Sequence, residues 1–172
     1  CVSCCYDFIY IVGSSGRVYV SKPGNEWKLT FSVVKELEGV VIKAVYGTYL
    51  HCFALDENGR VFGRGKNCFG CLAMGEVNDV FDEFKLISSL SDYKIVYASA
   101  GLNHSLFKTN DGKLLVCGCN KYRQLSINKE LMEEVLPLTE VEIEGEISFF
   151  IAGYNTTFIS IGSELPQSPN KP

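Results

Sequence analysis

Short apolar and β-branched runs alternate with small clusters of turn residues along almost the whole chain. Phe8–Val12, Val18–Val20, His51–Leu55, Val61–Phe62, His104–Phe107 and Leu114–Val116 flank Ser15-Gly16, Asn58-Gly59 and Asp111-Gly112. Runs of this length around a glycine-centred turn predict β-hairpins rather than helices. Asn-Gly and Asp-Gly are hairpin signals because both turn residues tolerate positive φ. Further apolar runs, Phe84 to Leu90 and Val135 to Ile143, follow two of the hairpins. Each unit is therefore expected to supply a strand leading into a loop, a hairpin such as HCFALDENGRVFGRG, and a closing strand. Four strands per unit is the content of a propeller blade.

The pattern repeats. The segment beginning at Ala44 aligns with the segment beginning at Tyr97, with no gap between His51 and Leu72. His51 falls on His104, Gly59 on Gly112, Gly65 on Gly118, Asn67 on Asn120 and Leu72 on Leu125, an offset of 53 residues. Upstream, Gly16 takes the turn position and Phe8 the histidine position, at an offset of 43. Downstream, Gly153 matches Gly101 and Thr156 takes the histidine position, at an offset of 52. A period in this range is the signature of stacked supersecondary units.

These residues resemble the regulator of chromosome condensation repeat family. The resemblance is carried by Gly47 or Gly101 before the histidine, by His51 and His104, and by the Asn-Gly or Asp-Gly turn. It also rests on Gly-x-Asn at 65–67 and 118–120, and on Phe-Gly-x-Leu at 69–72. In that last stretch Cys71 replaces the family's Gln, whereas Tyr122-Arg-Gln-Leu keeps Gln124 and loses the Gly. The fold implied is all-β, a partial β-propeller of about three to four antiparallel four-stranded blades. The blades are expected at approximately 1–40, 41–93, 94–146 and 147–162, the last partial, with a disordered tail over 163–172. Propellers of the family close with about seven blades, so a fragment of a longer chain, an oligomer or a truncated member is implied, with further blades covering the two end faces.

Composition narrows the function. Hydrophobic residues make up 47% of the 172 residues, so the chain is expected to fold. A formal net charge of -4 with scattered Lys and Arg disfavours nucleic acid as a partner. No apolar stretch reaches the roughly 18–20 residues that span a bilayer. Eight cysteines in a chain with an ample apolar core read as reduced, mostly buried residues. That points to a cytoplasmic protein, with the nucleus as the other compartment.

Candidate chemistry is sparse. His51 and His104 recur once per repeat, which fits a structural hydrogen bond and not an acid–base pair. Cys1-x-x-Cys4 and Cys68-x-x-Cys71 have the inner spacing of zinc ligands. The pairs are far apart in the chain, and no His pair sits at ligand spacing. Cys1, Cys4 and Cys5 cluster near a strand, with no basic neighbour in the sequence to lower a thiol pKa. Gly63-Arg-Gly65-Lys lacks the spacing of a phosphate loop and lies between strands. Acidic connectors, Glu76, Asp79, Asp82 and Glu83 in one unit and Glu130, Glu133 and Glu134 in the next, offer a face to a basic partner. No catalytic, cofactor-binding or metal-binding residue is assigned, and no cofactor. The expectation is a non-catalytic protein-interaction module within a larger propeller protein. The alternative implied by the family is guanine nucleotide exchange on a small GTPase. Chromatin binding is a third implication, weakened by the acidic balance.

Overall fold

The computed structural model describes residues 1–5, 8–22, 29–125 and 133–162. The expected tail over 163–172 and Glu130 lie outside them. Among the described residues, fourteen strands form three four-stranded antiparallel sheets and one of two strands. The first sheet is β1 (Val2–Cys5), β2 (Phe8–Val12), β3 (Val18–Lys22) and β4 (Thr30–Val33). The second is β5 (Ile42–Gly47), β6 (His51–Asp56), β7 (Val61–Lys66) and β8 (Val80–Leu86). The third is β9 (Ile95–Ala100), β10 (His104–Thr109), β11 (Leu114–Cys119) and β12 (Val135–Val141). The last is β13 (Ile147–Ala152) with β14 (Thr157–Ile161). Each sheet is a meander in chain order. Among the described residues the only helical segments are three 3-10 turns, Lys35–Leu37, Cys68–Gly70 and Ser88–Leu90. This is the expected all-β arrangement of propeller blades.

Stacking of the sheets explains why the middle strands look so apolar. All six residues of β6 are buried. Phe53 and Leu55 enter the core against the third sheet, while Cys52 and Ala54 enter the core against the first. In β10, Phe107 faces back to the second sheet and Leu106 faces forward to the fourth. Phe53 and Phe107 meet edge to face across the gap, with centroids 5.0 Å apart. A strand covered on both faces loses the period-two alternation that marks a half-buried one.

Two local expectations are corrected. The closing strand of the second sheet begins at Val80 and ends at Leu86, four residues earlier at its start than the apolar run suggests, and Ser88–Leu90 is a 3-10 turn. As an edge strand, β8 is mostly exposed, so hydrophobicity does not delimit it. The buried Ile87 and Leu90 follow the strand and plug the core between sheets. The hairpin turns also differ from the expected form. Gly59 has φ +86, but Asn58 does not adopt positive φ. The Asp56 N–H donates to Arg60 O at 3.0 Å and the Gly59 N–H to Asp56 O at 3.2 Å. Asp56 Oδ1 accepts from the N–H groups of Asn58 and Arg60 at 2.9 and 2.8 Å. The side chain of Asp56 thus shapes a wider turn in which only the glycine needs a left-handed backbone. Thr109 Oγ1 plays the same part in the third sheet, accepting from Lys113 N–H at 2.9 Å.

A four-stranded meander has two ends. The hairpins β6–β7 and β10–β11 share one end with the connectors between sheets, and there Ile42 N–H donates to Gly16 O and Ile95 N–H to Gly59 O, both at 3.0 Å. The loops joining first to second and third to fourth strands gather at the other end. The first strands β1, β5, β9 and β13 lie beside one another.

Candidate functional site

The histidine position sits where consecutive sheets meet. His51 opens β6 and is fully buried; its Nε2 lies 2.8 Å from Ser105 Oγ of the next sheet. His104 opens β10, and its Nε2 lies 3.2 Å from Thr157 Oγ1 of the sheet after that. Ser105 and Thr157 are equivalent positions of the repeat, each in a sheet's second strand. The bond therefore ties one blade to the next.

On its other side His51 Nδ1 is 3.6 Å from Cys71 Sγ, and Cys71 Sγ is 3.4 Å from Lys66 O. One direction of donation satisfies every group. The Cys71 S–H goes to Lys66 O, the His51 Nδ1–H to the Cys71 sulfur, and the Ser105 O–H to His51 Nε2. Cys, His and Ser in a row invite comparison with a catalytic relay, but the electrostatics run the other way. Burial holds His51 down to about 3 and His104 to about 4, so both rings are neutral. Burial pushes the Cys71 thiol up and takes the neighbouring Cys117 up to about 12. With His51 and Cys71 at 0% exposure, no substrate reaches them. In the third sheet Gln124 takes the place of Cys71. There His104 Nδ1 and Gln124 Nε2 make no hydrogen bond within the described residues.

The Gly-x-Asn motif builds the loop end. A β-carbon on Gly65 (φ +111) would overlap Leu50 O, the same carbonyl that accepts Lys66 N–H at 2.9 Å, so the third strand closes onto the first loop only without a side chain there. The Gly63–Gly65 segment is a bulged strand. Two residues on, Asn67 Oδ1 accepts the Leu72 N–H at 2.8 Å and its amide donates to the carbonyls of Met74 and Glu76. Asn120 repeats the arrangement with Leu125 N–H at 2.9 Å and Glu133 O at 2.9 Å. In the second sheet one buried amide thus fixes a long loop anchored by the fully buried Leu72; in the third, Asn120 holds the fully buried Leu125 and Glu133 on either side of residues outside the described ones.

What these loops display is aromatic. Tyr49 and Tyr154, at the same repeat position in the first-to-second-strand loops, are 59% and 71% exposed. Phe69 and Tyr122, equivalent in the third-to-fourth-strand loops, are 40% and 62% exposed. Two recesses open beside them. One, of about 300 Å³, lies between the first two sheets and includes Tyr49, Arg64 and Lys66. The other, of about 450 Å³, is lined by Tyr122, Arg123, Asn155 and Thr156. In the sequence Phe69 and Tyr122 stand only as repeat markers, and Tyr49 and Tyr154 belong to no motif. The signal was their coincidence in the repeat frame.

The remaining candidates scatter. Glu76 and Asp79 lie in the loop of the second sheet, where Asp79 Oδ2 accepts the Glu76 N–H at 2.8 Å. Asp82 and Glu83 are adjacent on β8 and so point to opposite faces. Glu133 and Glu134 are exposed before β12, where their carbonyls receive Asn120. Of the cysteines, Cys5, Cys52, Cys71, Cys117 and Cys119 are buried, Cys68 is half-buried and Cys1 and Cys4 are exposed. No three His, Cys, Asp or Glu side chains gather at metal-binding distance among the described residues. The N-terminal cluster does have a basic neighbour: the positive charge of Arg64, from β7, bears on Cys5 across the first two sheets. No helix of the described residues is long and apolar enough to cross a membrane.

Two family models, each described as the regulator of chromosome condensation (RCC1) repeat, match residues 58–107 and 95–124. The chain is similar to the probable E3 ubiquitin-protein ligase HERC6 of Homo sapiens, 28% identical over 93% of this chain and 18% of that protein. It is also similar to the probable E3 ubiquitin-protein ligase HERC4 of Rattus norvegicus, 33% identical over 70% of this chain and 11% of that one. It thus spans less than a fifth of either relative. Among solved structures, Prp20p from Saccharomyces cerevisiae superposes with a TM-score of 0.67 over 85% of this chain and 37% of that one, at 21% identity. Its crystal structure was described together with its binding to Gsp1p and histones.

Proposed function

The chain belongs to the regulator of chromosome condensation repeat family, and from that premise we propose that it is a non-catalytic protein-binding module that engages its partner through the aromatic loop end of the blades. One observation carries this: Tyr49, Phe69, Tyr122 and Tyr154 stand exposed at one end, Phe69 and Tyr122 on segments pinned by buried amides, with recesses opening beside Tyr49 and Tyr122. Tyrosine and phenylalanine supply large contact area at low entropic cost and dominate binding energy where they meet a pocket or fill one. Hydrogen bonds from Asn67 and Asn120 hold the segments that carry Phe69 and Tyr122 in place before binding, which lowers the ordering cost. The repeat residues with chemical potential are buried between blades, so specificity is left to what the loops expose. The acidic side chains divide between loop, edge strand and opposite faces, which makes a continuous acidic docking face the poorer choice.

Guanine nucleotide exchange is the second reading, favoured by the likeness to Prp20p, which has been studied for binding to Gsp1p. The same loop end would then meet a small GTPase. One experiment tests both. The purified chain and a Tyr49→Ser/Phe69→Ser/Tyr122→Ser/Tyr154→Ser variant are used for capture from cell extract, beside nucleotide release from a panel of small GTPases. The expected result is a stoichiometric protein partner held by the wild type and lost by the variant, with the two melting alike and release rates unchanged. Capture indifferent to the four substitutions removes the proposed face. Accelerated release from one GTPase replaces the non-catalytic reading with exchange.

A further inference from the structure

At the first blade junction the repeat's structural pair is missing, and thiols stand in its place. The residue before the loop, the loop-end ring and the partner in the next sheet are Gly101, His104 and Thr157 at the third junction. They are Thr48, His51 and Ser105 at the second. The same three positions at the first junction are Cys5, Phe8 and Cys52. Phenylalanine cannot bond across the gap, and the position that carries a hydroxyl elsewhere carries a thiol. Cys52 pairs with Gly47 in the β5–β6 ladder. A β-carbon on Gly47 would lie 3.0 Å from the Cys5 β-carbon and 2.6 Å from Cys4 O. Cys5 thus occupies the space a side chain at position 47 would take, next to Cys52. Both side chains lie in the core between the first two sheets, and each bears on the acidity of the other.

We propose that Cys5 and Cys52 form a peroxide-oxidisable dithiol that closes to a disulfide between the first and second blades. Their surroundings favour this order of events. The neighbouring Cys52 side chain, the Thr48 backbone and the field of Arg64 together hold the Cys5 thiol below the usual range despite burial. The neighbouring Cys5 and burial raise Cys52. Cys5 is therefore the attacking sulfur and Cys52 the resolving one. Both line the recess of about 300 Å³ that opens beside Tyr49 and Arg64, a path wide enough for hydrogen peroxide. In the first step the Cys5 thiolate attacks one peroxide oxygen. The S–O bond forms, the O–O bond breaks, and hydroxide leaves to take a proton as water. In the second, Cys52 sulfur attacks the Cys5 sulfenic sulfur, the S–S bond forms and the S–O bond breaks. The Cys52 proton leaves with the departing hydroxide as a second water. Two thiols lose two electrons in all, and one peroxide becomes two waters.

The reduced chain treated with hydrogen peroxide tests this. Its intact mass is expected to fall by two hydrogens, and trypsin should release residues 1–17 joined to residues 44–60, a link that dithiothreitol reverses. Cys52 is the sole cysteine of 44–60, while 1–17 also holds Cys1 and Cys4. A Cys1→Ser/Cys4→Ser variant, altered only at exposed positions, should form the link at the wild-type rate, and Cys5→Ser and Cys52→Ala should not form it. A link that disappears in the Cys1→Ser/Cys4→Ser variant overturns the assignment. So does peroxide treatment that leaves acids on Cys5 with no link, or linking that is as fast and as selective in denaturant as in the folded chain.

Discussion

The first and second blade junctions solve the same problem with different chemistry. Both carry a turn glycine whose carbonyl accepts the first N–H of the next sheet at 3.0 Å, from Ile42 or Ile95. Both bury a large ring against the following sheet, Tyr10 meeting Phe84 at 5.7 Å in one and Phe53 meeting Phe107 at 5.0 Å in the other. At the loop end they part. The second junction has a neutral histidine bonded to serine and cysteine, closed to solvent. The first has a half-buried phenylalanine over two thiols, with Arg64 5.5 Å from the centre of the Phe8 ring and a recess open beside them. Apolar packing holds blades together at either; the polar bond adds direction where it is present. A junction freed of that bond has room for reactive chemistry.

Acid should expose this difference most strongly. Both histidines of the chain sit at the second and third junctions, and none at the first. Their folded pKa values lie below the usual value, at about 3 and about 4. The unfolded chain therefore binds protons that the folded chain refuses. Stability is complete above the unfolded histidine pKa and falls as pH drops through it towards the folded values. Between pH 7 and pH 5 the two groups together should cost about 4 kcal/mol, followed by urea denaturation. A His51→Phe chain, in which the second junction mimics the first, should show about half that loss. An unchanged slope would mean that His51 is protonated in the fold.

Gly59→Val should cost about 2–4 kcal/mol, since a β-branched residue is strained at φ +86 and its β-carbon would lie 2.6 Å from Lys94 Cγ. Gly16→Val should match it, because its β-carbon meets Val41 Cγ1 at the same 2.6 Å. Gly112→Val has the same backbone strain (φ +88) with nothing within 4 Å of the added carbon, so about half the cost is expected. Equal melting points for Gly59→Val and Gly112→Val would show that turn strain decides and junction contact does not.

A smaller effect is expected from transplanting the histidine pair. Phe8→His/Cys52→Ser gives the first junction the chemistry of the second, and should change stability by less than about 1.5 kcal/mol while abolishing peroxide cross-linking. Retained cross-linking in that variant would place the reactive sulfurs elsewhere.

Repeat period, strand content and a structural rather than catalytic reading of His51 and His104 were all legible in the sequence. The period survives because each blade must present the same backbone shape to its neighbour: Gly65 and Gly118 both leave room for a loop carbonyl, and Asn67 and Asn120 both tether a buried leucine. Strand limits were less legible where burial does not alternate, as in β8, and the hairpin turns depended on Asp56 and Thr109, which lie outside the Asn-Gly and Asp-Gly signals. The tertiary structure alone decided which residues face each other between blades. Arg64 and Cys5 are separated by most of two blades along the chain, yet they line one recess. Tyr49 and Phe69 share an end only because a meander returns every second loop to the same side. Local sequence specifies hydrogen-bonded turns and strands, whose partners are near in the chain. The contents of a junction depend on two blades stacking face to face, and stacking brings together residues that no spacing rule connects.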